Sequence, residues 1–351
     1  MKKVMKKVLA LLCVTAMSGV LLTGCGEKAA EPAAPADKEQ AAAPAESSAP
    51  ASDEQAASDT GAKKRIGISL VYKGDEWCAA VDQEFNKQAS EFGYEVNIQD
   101  GNLDNETQVK QIENFITQQY DMIAVDPASP EGIIPALEKA SAANIPIVVF
   151  DSATAYEDIV SYVSWDSYET GTLIGKYLHD VIQKDYSGKA NVAVLTMSTP
   201  VNIADRIRGV KDALKDLDIT YVAEQDYEGN REKAANIITN IKENIDFVVA
   251  GQDNGAWGAV SALQALNNKT TKCYSMGAYG AEPFQALVDN NSNYGGTVAV
   301  SPSKLVAATY GVMQDYFAGK TDIPDVVNID LDLVVPDNIN QYIADNDITL
   351  E

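Results

Sequence analysis

The chain has 351 residues, with 27 Lys and Arg against 51 Asp and Glu and a formal charge of −24. So acidic a balance excludes nucleic-acid binding, because no basic stripe exists to neutralise phosphates. One histidine and four cysteines without CxxC or CxxH spacing offer no metal-binding pattern.

The chain opens on Lys2, Lys3, Lys6 and Lys7, then the apolar stretch 8–22, then Leu22-Thr23-Gly24-Cys25. A basic start, an apolar core too short to span a bilayer comfortably and small residues before a cysteine describe a secretory signal over residues 1–25. The Leu-Thr-Gly-Cys ending resembles a bacterial lipobox, which implies lipidation of Cys25. Residues 26–63 are almost entirely Ala, Pro, Glu, Ser, Asp, Gln and Lys, with no aromatic and no long aliphatic side chain. Such a segment cannot offset its conformational entropy by burial, so a disordered tether reaching roughly 35 Å is expected. Roughly 290 residues remain, enough for one large or two ordinary domains.

Strand and helix then alternate. Residues 65–71 read as a strand and 76–92 as a helix with Trp77, Val81, Phe85, Ala89 and Phe92 on one face. A strand at 94–99 leads to a helix at 105–119, with Val109, Ile112 and Ile116 inward. Two apolar runs, 120–126 and 145–151, each stop on a carboxylate and flank a helix at 130–143 that Ser129 is placed to cap. A right-handed crossover makes the two strands parallel, so Asp126 and Asp151 emerge on one carboxyl edge, where open α/β sheets bind ligands. A strand at 160–164 completes one five-stranded unit. The helix 167–184 leads into a second, with strands at 191–197, 219–225, 247–250, 272–276 and 296–300. Helices at 202–214, 230–243, 254–266 and 282–288 lie between them, and a helix at 303–317 and a strand-like run 326–335 follow. Two such units predict an α/β chain of two doubly wound parallel-sheet lobes.

From about Lys64 onward the chain resembles the ribose-binding type of periplasmic sugar-binding proteins, the solute receptors of ABC importers. The resemblance is carried by residues 65–71, Phe92-Gly-Tyr, Asp126-Pro-Ala-Ser, residues 145–151, Arg206-Ile-Arg-Gly, Asp253-Asn-Gly-Ala-Trp-Gly-Ala-Val and the C-terminal Leu333-Val-Val-Pro-Asp-Asn-Ile. It implies the type I periplasmic binding protein fold, with lobes joined by a three-crossing hinge near 165–167, 298–301 and 326–329. An N-terminal lobe of 64–165 plus about 299–327 and a C-terminal lobe of 166–298 plus about 328–351 are expected.

Members of that family hold a sugar between the lobes with carboxylates, amides and an arginine. Sugar hydroxyls both donate and accept, so charged groups make strong hydrogen bonds to them, and the C–H faces of the ring need flat apolar partners. Carried over by position, the resemblance marks Asp75, Trp77, Asp126 and Asp151 on the first lobe. On the second it marks Arg206 (with Arg208 nearby), Tyr227, Gln252, Asp253 and Tyr279. Ser152, Tyr279 and Val300 replace more polar family residues, so a deoxy or methylated sugar, a polyol or another small polar molecule stands equal to ribose as the expected ligand.

No catalytic constellation emerges: His179 lies within a helix, and no Walker, GxGxxG or GxSxG motif occurs. Residues 100–105 faintly suggest a calcium loop, yet Asn105 and Gln111 stand where its glycine and glutamate belong. Cys78 and Cys273 each sit in an apolar pattern and are expected as buried thiols. The expected protein is therefore a monomeric, cofactor-free receptor, not an enzyme. It would sit outside the cytoplasm on the membrane through its lipid, feeding a sugar-like solute to the membrane subunits of an ABC importer. The other reading is a receptor that presents a polyol or autoinducer-like molecule to a sensor or chemoreceptor.

Overall fold

The computed structural model describes residues 63–74, 76–198, 202–346 and 348–350. The signal segment, Cys25, nearly all of the expected tether and Asp75 lie outside the described residues.

Short runs that are apolar on both faces become inner strands: Met122–Val125, Ile147–Phe150 and Phe247–Ala250 are buried at every position, as parallel strands covered on both sides must be. The first half runs β1 (Lys64–Leu70), α1 (Glu76–Ala89), β2 (Tyr94–Asp100), α2 (Asn105–Thr117), β3 (Met122–Val125), α3 (Ile134–Ala142), β4 (Ile147–Phe150) and β5 (Ser161–Ser164). Next come α4 (Ser167–Asp185), β6 (Lys189–Thr196), α5 (Asn202–Ala213), β7 (Asp218–Asp226), α6 (Arg231–Asn240), β8 (Phe247–Ala250), α7 (Asp253–Ala265) and β9 (Lys272–Ala278). The chain continues through α8 (Ala281–Val288), β10 (Tyr294–Ala299), α9 (Pro302–Phe317), β11 (Val326–Asn328), β12 (Asp332–Val334) and α10 (Ile339–Asp345).

Among the described residues the strands form two six-stranded sheets, ordered β11-β5-β4-β3-β1-β2 and β12-β10-β9-β8-β6-β7. Every neighbouring pair is parallel except β10 with β12. The first sheet packs Ile66, Ile68, Ala124 and Phe150 against α1 and α9, and Ile123, Val125, Ile147 and Val149 against α2 and α3. The second buries Leu195, Val248 and Cys273 on one face and Val194, Phe247, Val249 and Met276 on the other. Each sheet therefore has two cores, which is why its central strands show no polar alternation.

Three times the chain passes between the sheets: after β5, after β10 and after β11. The run 326–335, expected as one strand, is thus two short strands in different sheets, because the third crossing interrupts it. Helix α9 returns to the first sheet, where the Tyr310 hydroxyl donates to the Phe85 carbonyl at 2.7 Å.

Helix starts follow their caps. The carboxylates of Asp104 and Asp166 accept from Thr107 N (2.9 Å) and Glu169 N (3.0 Å), and Asn230 Oδ1 accepts from Lys233 N at 2.9 Å, each bond contributing about 1 kcal/mol. The loop before α2 is thereby explained: Asp104 caps the helix, and the Asp100 carboxylate accepts from Asn102 N at 2.8 Å. Two expectations shift. Ser129 accepts from Gly132 N and closes a separate turn, so α3 begins only at Ile134, with Pro135 in its first turn. The buried stripe of α2 is Gln108, Gln111, Ile112 and Phe115, with Val109 and Ile116 only partly covered. The glutamines turn inward because strand ends leave backbone groups to satisfy. Gln111 bonds Ser69 Oγ (2.7 Å) and Asp100 O (2.7 Å), and Gln108 bonds Asp126 O (2.8 Å) and Ala128 N (2.7 Å).

Candidate functional site

In both sheets the order reverses beside the first strand of the unit, so a crevice opens at the carboxyl edge of each. At the edge of the first sheet, Asp126 directly follows β3 and is 2 % exposed. Its Oδ1 accepts from the Ser152 backbone N at 3.2 Å. Burial, and then the neighbouring Asp151 charge, push the Asp126 carboxyl well above the usual range, so it keeps its proton where an ordinary aspartate has lost it.

Asp151 follows β4 with φ +57°, a left-handed backbone that Asp tolerates better than most residues. Its N donates to Val163 O at 3.0 Å, and its carbonyl accepts from the hydroxyls of Tyr162 (2.5 Å) and Ser164 (3.1 Å). These three bonds to and beside β5 fix the turn. Asp126 faces inward to support that turn, whereas Asp151 lines the cleft.

From the second sheet, α5 carries Arg206, 4 % exposed, whose Nη1 donates to Gly251 O (2.9 Å) and Met276 O (3.0 Å). One guanidinium thus ties the ends of β8 and β9 together, and burial lowers its affinity for its proton against the pull of Asp253 and Asp151. Gly277 has φ +88°, and an added Cβ would lie 3.0 Å from Arg206 Nη1. Only glycine allows both that backbone and that approach. Arg208, by contrast, is exposed and pairs with Asp205 at 2.7 Å.

Gln252 and Asp253 follow β8. Asp253 opens α7 and lines the cleft, yet its Oδ1 is closed off from solvent without a hydrogen-bond partner among the described residues. Burial pushes its carboxyl up to about 6.

Trp77, Asp151, Arg206, Gln252 and Asp253 come together around one cavity of about 430 Å³, within the range of small-molecule sites. Tyr279 lines an adjoining cavity that shares Trp77 and Asp253. Two expected residues stay away from the walls. Asp126 sits behind Asp151, and Tyr227 is fully buried with its ring against Gly255, its hydroxyl pushed up to about 12 by burial.

Five further wall residues were not anticipated as contacts: Cys78, Trp165, Asn202, Asn254 and Gly277. Asn254 and Cys78 adjoin named residues, and Trp165 follows β5, so strand-end position was the signal available for it. Cys78 is half-buried at this wall, not in a core; Cys273 is buried, and no disulfide joins the two. Across the cavity lie a carboxylate from one sheet, a guanidinium from the other, amides and two indoles. Such a set suits a neutral polyhydroxylated molecule.

Residues 66–321 match the family described as the periplasmic binding protein domain. Galactofuranose-binding protein YtfQ of Escherichia coli is 26% identical over 262 residues, covering 72% of this chain and 81% of its own. Ribose import binding protein RbsB of Bacillus subtilis is 25% identical over 269 residues, covering 75% and 85%. Among solved structures, a periplasmic solute binding protein of an ABC transporter from Actinobacillus succinogenes with bound D-allose is 26% identical. It superposes with a TM-score of 0.68 over 80% of this chain and 100% of that one.

Proposed function

We propose, from the premise that this chain belongs to the periplasmic binding protein domain family, that it captures a sugar or sugar-like solute outside the cytoplasm and delivers it to the membrane subunits of an ABC importer. The family consists of solute-binding proteins, not enzymes, and the fold is its two-lobed α/β architecture. The observation that carries the reading is the meeting of Asp151, from the edge of one sheet, with Arg206, from the edge of the other, at one cavity.

The lobes in this reading comprise 64–165 with about 299–327, and 166–298 with about 328–351, moving about the three crossings. A ligand held by both lobes binds their closed arrangement better, and that difference in affinity is what shifts the balance toward closure. Cys25 would hold the protein at the membrane through its lipid while the receptor works as a monomer. Among the described residues no helix is long and apolar enough to cross a membrane.

The test is a thermal-shift screen of the purified chain against galactose, arabinose, ribose, xylose, allose, deoxyribose and myo-inositol. A true ligand at a hundred times its dissociation constant adds about 2.7 kcal/mol, and scattering should then give a smaller radius of gyration. If no sugar or polyol raises the melting temperature, the reading fails.

A further inference from the structure

Beside the cavity at Asp151, α1 of the first lobe meets the loop between β9 and α8 of the second. Gly280 lies against the Glu76 carboxylate: a Cβ added there would run into Oε2 and stand 2.9 Å from the carboxyl carbon. The next residue back, Tyr279, is half-buried and shares a small cavity of about 130 Å³ with Glu84 and Lys87 of α1. We propose that Glu76 and Tyr279 are positioning residues that latch α1 to the start of α8, so that the closed arrangement of the lobes is held in part by the chain itself and not only by its ligand. The inference rests on the two-lobed receptor reading above.

Each part of the contact has a physical reason. The first N–H groups of a helix have no partner within it, and its N-terminus carries a partial positive charge that favours a carboxylate. Gly280, the N-cap of α8 with φ +100°, has no side chain to supply one. Glu282 is the acidic residue of the first turn, but Arg231 holds its carboxylate with bonds of 3.1 and 2.6 Å. The start of α8 is thus left to Glu76 from the other lobe, and only glycine at 280 allows that approach. Tyr279 does not line the cavity at Asp151 and Arg206. Burial raises its hydroxyl, and the charges of Glu84 and Glu76 raise it further against Lys87. Both carboxylates of α1 therefore stand within electrostatic reach of this ring.

A contact made only between closed lobes raises the closed fraction, and the apparent affinity for any ligand of the closed form scales with that fraction. A latch therefore changes every sugar by one factor, whereas a group that touches the sugar distinguishes one from another.

Scattering by the full chain without sugar, and calorimetry with galactose, arabinose, ribose, xylose, allose and myo-inositol, test this on wild type, Glu76→Ala and Tyr279→Ala. Glu76 is exposed, so its replacement leaves the core intact, and melting curves check folding. Without sugar, both variants should have a larger radius of gyration than wild type. Each sugar that wild type binds should bind more weakly by one common factor, about two- to fivefold in Glu76→Ala. Identical scattering by wild type and either variant would overturn the inference and leave the sugar-receptor reading intact. Losses that differ from sugar to sugar would overturn it too, because the replaced residue would then touch the ligand. If no sugar binds, the receptor reading falls, and scattering alone decides the latch.

Discussion

Trp77 meets Trp165 edge to face, with ring centroids 5.8 Å apart and planes at 65°. Trp77 stands on α1, and Trp165 begins the first crossing between the sheets. Trp77 Nε1 also donates to Val300 O at 3.2 Å, at the second crossing. One indole therefore touches two of the three strands of chain that join the lobes. Trp77→Leu should lose the ring pair and the hydrogen bond, on the order of 2 kcal/mol in urea unfolding. A loss below about 0.5 kcal/mol would make Trp77 a cleft wall only.

Asp151 separates backbone from ligand effects. Asn tolerates its left-handed backbone, so Asp151→Asn should fold with near wild-type stability, whereas Asp151→Ala should be less stable by about 1 kcal/mol or more. Both should bind the sugar about 1.5–3 kcal/mol more weakly, since a hydroxyl loses a charged partner. Calorimetry and melting curves on the same two variants check it. Unchanged affinity in both would remove Asp151 from the site.

Gly277 permits the approach of Arg206 to the end of β9. Gly277→Ala should cost about 1–3 kcal/mol of stability through its positive φ and displace the guanidinium, so sugar affinity should fall with it. A variant as stable as wild type, or one that binds normally, contradicts this account of Arg206.

Asp253 makes stability depend on pH. Its carboxyl sits at about 6 in the folded chain against an ordinary 3.8. Between those values the folded protein holds a proton that the unfolded chain has released. Its contribution is therefore full at low pH, is lost as pH rises from about 4 through 6, and is level above. The difference between about 6 and 3.8 sets a ceiling on the order of 3 kcal/mol. Denaturation midpoints of wild type relative to Asp253→Asn from pH 4 to 8 should show this decline, with the Asp126 contribution common to both. A flat difference excludes it.

Cys25 tests the anchor. Cys25→Ala should leave the membrane fraction and lose labelling by a palmitate analogue, because several acyl chains hold a protein where one holds only marginally. Wild-type protein that carries no label and fractionates as soluble would refute the lipobox reading.

The sequence by itself determined the alternation of elements, because a strand covered on both faces must be an unbroken apolar run, as 122–125, 147–150 and 247–250 are. It also determined where pocket residues could lie, since strand ends are the points at which Asp151, Gln252 and Asp253 leave the core. Tertiary structure decided which strand-end groups face the cleft. Asp126 and Asp151 look alike in sequence, each closing an apolar run, yet one accepts from Ser152 N inside the fold and the other is turned outward by a left-handed residue held from β5. Tyr227 went inward for a similar reason: the space over Gly255 admits its ring, and no local pattern records that space. Gln108 and Gln111 broke the apolar stripe of α2 because the strand ends beneath them needed partners. The split of 326–335 and the adjoining cavity at Tyr279 depend on contacts between residues far apart in the chain. Periodicity reports which face of an element is covered; only the assembled fold decides what covers it.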